Sequence, residues 1–145
     1  MDHGRPVGSE VFLDTAYAIA ISSPRDEHRP LARELARRIR ADGTRIVTTQ
    51  AVIIEIGNAL AKAHFRAVAV DLMDVLEEDP TVEIVPVTDD LYAEGAALYR
   101  THKDKEWGMT DCLSFVVMRR RGITEALTSD DHFRQAGFRA LLREQ

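Results

Sequence analysis

The chain contains a single cysteine, Cys112, in 145 residues. That excludes an internal disulfide framework and any cysteine-based zinc site. No apolar run reaches membrane-spanning length, and Met1 to Glu10 is too polar for a signal peptide, so a cytoplasmic protein with no membrane role is expected. The histidines (His3, His28, His64, His102, His132) are scattered, with no HExxH or other close metal-ligand pair. There is no GxSxG turn and no Gly-rich phosphate loop, and Cys112 has no evident histidine partner, so no organic nucleophile comes with its base. An excess of positive charge is missing too. Nineteen Lys and Arg stand against 24 Asp and Glu, a net charge of −5, which argues against a protein that coats nucleic acid nonspecifically. A nuclease stays open, because it can hold acids in a cleft and basic residues on the rim.

What is present is an ordinary globular composition, 45% hydrophobic and 30% charged, in a length that suits one domain. The stretch Val11-Phe12-Leu13-Asp14-Thr15 is a buried-strand pattern that stops at a carboxylate, with a helix start after it and Thr15 as its N-cap. Asp14 alone reads equally as a helix-capping acid or as a residue at the ligand-binding edge of an α/β sheet. Helices are expected over Asp26–Ala41, Gln50–Phe65, 67–78 and Asp89–His102, with strands at Arg45–Thr48 and Val82–Val87. Val68, Leu72, Val75 and Leu76 form the expected inward face of the fourth helix. Arg33, Arg37, Arg38 and Arg40 make the second helix basic, either as a solvated face or as a rim for RNA or an acidic partner. Glu55 lies between Ile54 and Ile56, a costly place for a charge unless it faces a polar cleft or the solvent near the helix start.

The segment Thr110 to Met118 is apolar almost all round and reads as a buried helix. Thr110 can cap it, so Asp111 in its first turn is left for solvent in a cleft or for a cation, with Ser114 one turn on. A strand near Glu125–Thr128 runs into Ser129-Asp130-Asp131-His132-Phe133, followed by a short helix, Gly137 and a last strand near Arg139–Leu142. The alternation predicts an α/β fold, a three-layer α/β/α sandwich with a mainly parallel sheet. Asp14 and Asp130 then lie at strand carboxyl ends, and Glu55 and Asp111 near helix starts on the same edge. Such clustered carboxylates take up protons unless a cation is bound, and an oxygen-only set suits Mg²⁺ or Mn²⁺. Ions of that kind activate water and stabilise the leaving oxygen of a phosphodiester.

In their order and spacing, Leu13-Asp14-Thr15, Glu55 in an apolar helix, Thr110-Asp111-Cys112-Leu113-Ser114-Phe115 and Thr128-Ser129-Asp130-Asp131-His132-Phe133 resemble a PIN-domain nuclease. The similarity is greatest to the VapC type, the toxin half of toxin–antitoxin pairs, and covers about residues 10–142. The resemblance implies that Asp14, Glu55 and Asp111 are core metal ligands and catalytic acids. Asp130 matches the fourth acid, with Asp131 as the alternative and Asp104 as an extra. Thr15 and Ser129 match supporting polar positions, while Gly108 stands where relatives often carry Ser. It further implies an RNA substrate (transfer or ribosomal), a homodimer and a cognate antitoxin. A PIN-type RNA-processing nuclease outside such a pair, and a non-catalytic PIN-like binding module, are the alternatives. Haloacid-dehalogenase-type phosphatases also carry an Asp after strand one, but need a second two residues on, where this chain has Ala16.

Overall fold

A computed structural model describes residues 8–143. At its centre is β1, Glu10–Leu13. Val11, Phe12 and Leu13 are all buried, as a strand covered on both faces requires. β2 (Arg45–Thr49) pairs with β1 on one side and β4 (Glu125–Leu127) on the other. β3 (Val82–Val85) lies beyond β2, and β5 (Arg139–Ala140) lies beyond β4. Every pairing is parallel, in the order β3-β2-β1-β4-β5. The chain builds outward from β1 to β3 and then returns to β1's other side. The topological switch point therefore falls between β1 and β4, at whose carboxyl edge ligands bind in such sheets.

The helices are α1 (Thr15–Ser22), α2 (Arg29–Asp42), α3 (Gln50–Ala59), α4 (Ala63–Glu78), α5 (Asp89–Thr101), α6 (Met109–Arg121) and α7 (Asp131–Gln135). Right-handed connections put α1–α4 on one face of the sheet and α5 and α6 on the other. Accordingly α1 packs on α2, α3 and α4, while α6 packs on α5 and α7. The expected three layers are present. α6 is buried from Cys112 to Met118, as its apolar sequence demanded. Gly122 ends it with φ +67°, a left-handed stop that costs glycine nothing.

Several boundaries differ from the sequence expectation. α2 starts at Arg29, because Asp26 Oδ1 accepts from the His28 N–H at 2.8 Å in a turn and Pro30 opens the helix. The helix expected over Gln50–Phe65 is two, α3 ending at Ala59 and α4 starting at Ala63. The Arg66 guanidinium folds back onto the Ala61 carbonyl at 2.7 and 3.1 Å and holds the break. Lys62 thus leaves the face of Glu55 and Asn58. On α4, Ala69 and Leu76 are buried while Val68 and Val75 face outward. β3 stops at Val85, since the following Pro86 has no N–H for the ladder. β5 is two residues long, and Leu141–Arg143 form a 3₁₀ turn.

Beneath the carboxyl edge, three fully buried aromatics stitch the elements that end there. Phe12 of β1 and Phe133 of α7 lie with ring centroids 6.3 Å apart, and Phe115 of α6 meets Phe133 edge-on at 5.0 Å. Each such ring contributes about 1.5–3 kcal/mol through burial. Each is also two to four residues from an acid of the edge: Phe12 from Asp14, Phe115 from Asp111, Phe133 from Asp130.

Candidate active site

Asp14 leaves β1 at the switch point and is buried. Its N–H still donates to the Leu127 carbonyl of β4 at 3.2 Å, so the sheet holds its backbone. It is also the N-cap residue of α1, a place expected for Thr15. Thr15 instead turns its hydroxyl to Glu55 of α3, donating to Oε1 at 2.7 Å. The two neighbours thus split the work: Asp14, at the N-cap position without a side-chain capping bond, turns its carboxylate to Thr128, and Thr15 ties α1 to α3.

Thr128, fully buried at the end of β4, organises the next pair. Its hydroxyl donates to Asp14 Oδ2 at 2.7 Å and accepts the Asp130 N–H at 3.0 Å. Sequence reading gave the supporting role to Thr15 and Ser129. The signal it passed over was a hydroxyl at the very exit of a buried strand. Ser129 offers its backbone carbonyl, to Arg143 at 3.2 Å.

Asp111 sits in the first turn of α6. Its Oδ2 accepts the Gly108 N–H at 3.1 Å, so Asp111 itself helps cap the helix that Thr110 was expected to cap. The same oxygen lies 2.9 Å from His132 Nδ1. Asp130 caps α7 through the His132 N–H at 2.9 Å, and its Oδ1 lies 3.3 Å from the same ring nitrogen. Ionised carboxylates only accept, so Nδ1 carries the proton. Asp111, Asp130 and His132 each offer a ligand atom within 4.8 Å of the others. Ser114 is fully buried and donates back to the Thr110 carbonyl at 2.8 Å, so it does not face the cleft. Asp131 turns outward to Arg134 at 3.4 Å and Gln135 at 3.3 Å, and Asp104 is exposed beside Lys105 at 3.5 Å.

The electrostatics follow from crowding. Burial, with the charges of Asp111 and Asp130 added, pushes the Asp14 carboxyl up from 3.8 to about 7 despite the Thr128 hydrogen bond. Burial, and then the Asp130 charge, raise Asp111 as well. For His132, burial alone would lower the pKa. The Asp111 hydrogen bond and the charges of Asp130, Asp111 and Glu106 overcome it and raise it. Among the described residues, no Lys or Arg ion-pairs with Asp14, Asp111 or Asp130. The structure thus clusters Asp111, Asp130 and His132, and ties Asp14 to Asp130 through the Thr128 hydroxyl. Glu55 stands exposed on the neighbouring helix, joined through Thr15. Oxygen donors with one imidazole, short of cationic partners, fit a divalent cation.

A sequence model of the PIN domain matches residues 11–139. The 23S rRNA-specific endonuclease VapC20 of Mycobacterium tuberculosis is 28% identical over 130 residues, covering 88% of this chain and 95% of VapC20. The crystal structure of VapC20, described as a sarcin–ricin loop cleaving toxin, matches with a TM-score of 0.77 at 26% identity, over 88% of this chain and 95% of that one. The crystal structure of FitAcB from Neisseria gonorrhoeae matches with a TM-score of 0.60 at 22% identity, over 90% and 95%, and at that identity speaks to the fold. With its parallel sheet, its acids at the switch point and a match over nearly its whole length, the chain belongs to the PIN-domain family, as a homologue of the VapC-type endoribonuclease toxins.

Proposed function

We propose that this chain, as a single PIN domain, is a Mg²⁺- or Mn²⁺-dependent endoribonuclease and the toxin of a toxin–antitoxin pair. Asp14, Glu55, Asp111 and Asp130 are its catalytic and metal-binding acids. The observation that carries the reading is the cluster of Asp111, Asp130 and His132 at the β1/β4 switch point, with Asp14 tied to Asp130 through Thr128 and, among the described residues, no Lys or Arg paired with these acids. When bound, a divalent cation supplies Lewis acidity, acidifying a water and offsetting charge on the phosphate.

The chain's own residues prepare that site. Thr128 fixes Asp14 Oδ2 and the backbone of Asp130 through one hydroxyl. Thr15 holds Glu55 against the start of α1. His132 Nδ1–H spans Asp111 and Asp130 and offsets their repulsion. Asp14 must release its proton before it can act as a ligand, and burial sets that release near pH 7.

The substrate is RNA, and the rRNA specificity in VapC20's name makes 23S rRNA the first to test, ahead of transfer RNA. The reading includes a homodimer and a cognate antitoxin in the cytoplasm. Among the described residues no helix is long and apolar enough to cross a membrane. Two features support partners. Ile54, Phe65, Val68 and Val75 leave apolar surface on α3 and α4. An apolar cleft of about 370 Å³ opens among residues of α1, α2 and α4, including Tyr17, Ile39 and Leu72.

The test is incubation of purified protein with ribosomal and transfer RNA in Mg²⁺, Mn²⁺ or EDTA, beside Asp14→Asn. Cleavage at a few sites, lost with chelator and with the substitution, is expected. Undiminished cleavage by Asp14→Asn refutes the assignment.

A further inference from the structure

A nuclease must hold its strand as well as cut it, and a cluster of acids repels phosphate. The arginines of α2 do not solve this. α2 runs into β2, so Arg37, Arg38 and Arg40 at its end lie toward the amino edge of the sheet, opposite Asp14. Arg37 is moreover paired with Glu34.

Cationic side chains instead meet in the last segment of the fold, along β5, where Arg143 reaches the acid loop while Arg139, level with Glu125, lies toward the amino edge. A cleft of about 440 Å³ is lined, among the described residues, by Arg134, Gly137, Phe138, Arg139, Ala140 and Arg143, none of them a carboxylate. Among the described residues β5 is the edge strand, and no further strand covers this side of the sheet. Arg143 is pinned to the acid loop. Its Nη1 donates to the Ser129 carbonyl at 3.2 Å, and the neighbouring Leu142 N–H donates to the Thr128 carbonyl at 3.0 Å. Those two carbonyls belong to the residues just before Asp130. Arg134 projects from α7 and meets Asp131 at 3.4 Å, an exposed pair that an incoming phosphate can displace at little cost. Arg139 pairs with the buried Glu125 carboxylate and anchors the floor. Phe138 is half-buried, its ring 5.7 Å from that of Phe115. A free anion has no use for an aromatic wall, whereas a nucleotide presents a phosphate and a stacking face together.

We propose that this cleft binds the phosphodiester backbone of the RNA strand flanking the scissile bond, with Arg134 and Arg143 as its phosphate ligands. The inference rests on the nuclease reading of the acid site. Guanidinium forks match phosphate oxygens in pairs. In a chain of net charge −5, one such patch reaching the acid loop directs the strand into register without coating the protein with RNA.

The test is the double substitution Arg134→Gln/Arg143→Gln, with Arg37→Gln as the control at the far edge and circular dichroism to verify folding. Binding is read by fluorescence anisotropy with a labelled single-stranded RNA of ~20 nucleotides in the Asp14→Asn background, across a salt series. The double variant should bind about tenfold or more weakly at low salt. Its plot of log K against log salt should be shallower by about 0.7 for each phosphate that is no longer neutralised, roughly 1.4 for both. With Asp14 restored, the double substitution should raise KM for ribosomal RNA by more than it lowers the single-turnover rate at saturation. Affinity and salt slope equal to the control overturn the proposal. So does an absence of salt-dependent binding by the parent, or a fall in the saturated rate at unchanged affinity. A cleft that binds as expected in a protein that cuts no RNA in any metal would instead refute the nuclease reading alone.

Discussion

Asp14→Asn should stabilise the metal-free protein above neutral pH while it abolishes cleavage. The carboxyl titrates near 3.8 in the unfolded chain and at about 7 in the fold. At pH ~2–3 it is largely protonated in both states and folding is unopposed by it. As pH rises toward 7 the unfolded chain releases the proton first, so stability is lost through that window. A shift of ~3 units corresponds to ~4 kcal/mol in full, of which ~2–3 kcal/mol falls between pH 5 and pH 8. Asparagine cannot ionise, and its amide oxygen can still accept from Thr128. His132, also raised, loses stability in the same direction, but it is present in both proteins and cancels in the difference.

The assay is chemical or thermal denaturation of both proteins in EDTA across pH 5–8. The stability of Asp14→Asn relative to the parent should grow by ~2–3 kcal/mol from acid to base, roughly 6–10 °C in Tm for a chain of this size. Adding Mg²⁺ or Mn²⁺ at pH 8 should then stabilise the parent and leave the variant unmoved. Parallel pH profiles would refute the reasoning, because they would mean that Asp14 is not held protonated by the fold.

Thr128→Val keeps the shape but removes the hydroxyl shared by Asp14 and Asp130, costing about 1–3 kcal/mol in denaturation. Because that bond holds the Asp14 pKa down, the pH–rate profile for RNA cleavage should also move to higher pH. Phe133→Ala empties the aromatic contact under α6 and α7 and should cost about 3–5 kcal/mol in urea unfolding. At Gly95, where α5 meets α6, a Cβ would stand 2.6 Å from Leu113 Cδ2 and 3.2 Å from its Cγ. Gly95→Leu should therefore destabilise by about 1–3 kcal/mol or more in the same assay, despite leucine's better helix propensity. Gly108→Ser meets nothing within 4 Å and sits at the N-cap of α6, so a gain of about 0.5–1 kcal/mol in Tm-derived stability is expected.

Strands were legible where both faces are buried, because Val11-Phe12-Leu13 has no polar residue to place and stops at a charge. The parallel order followed from alternation, and with it the edge on which Asp14 and Asp130 had to fall. What was not legible depends on contacts between distant residues. His132 looked isolated because its partner Asp111 lies 21 positions away, and only α6 and α7 coming together makes them a pair. Thr15 was misread as a cap because its hydroxyl is claimed by Glu55, 40 positions on. The gap between α3 and α4 contains neither Gly nor Pro, so no local signal marks it. Along α4, apolar residues at Val68, Ala69, Val70, Leu72, Met73, Val75 and Leu76 cover nearly every direction, and packing on β3 and α3 chose among faces that the pattern left equivalent.

The site and the core beneath it are best understood as opposing terms. Gathering Asp14, Asp111 and Asp130 in a half-buried edge costs stability, as the raised pKa values of Asp14 and Asp111 record. A local arrangement would relax by turning the carboxylates to water. It does not relax because each carboxylate is held by a donor, the Thr128 hydroxyl for Asp14, the Gly108 N–H for Asp111 and the His132 N–H for Asp130, on elements whose buried rings pack on one another. Moving Asp111 outward means tilting α6 off Phe133; moving Asp130 means lifting α7 off Phe12 and Phe115. The aromatic burial, ~1.5–3 kcal/mol per ring, is of the same order as the electrostatic cost. A cation would remove the cost without moving the rings. The same reasoning separates two kinds of loss of function: Phe133→Ala should weaken metal affinity and stability together, whereas Asp14→Asn should abolish metal stabilisation while the fold grows more robust.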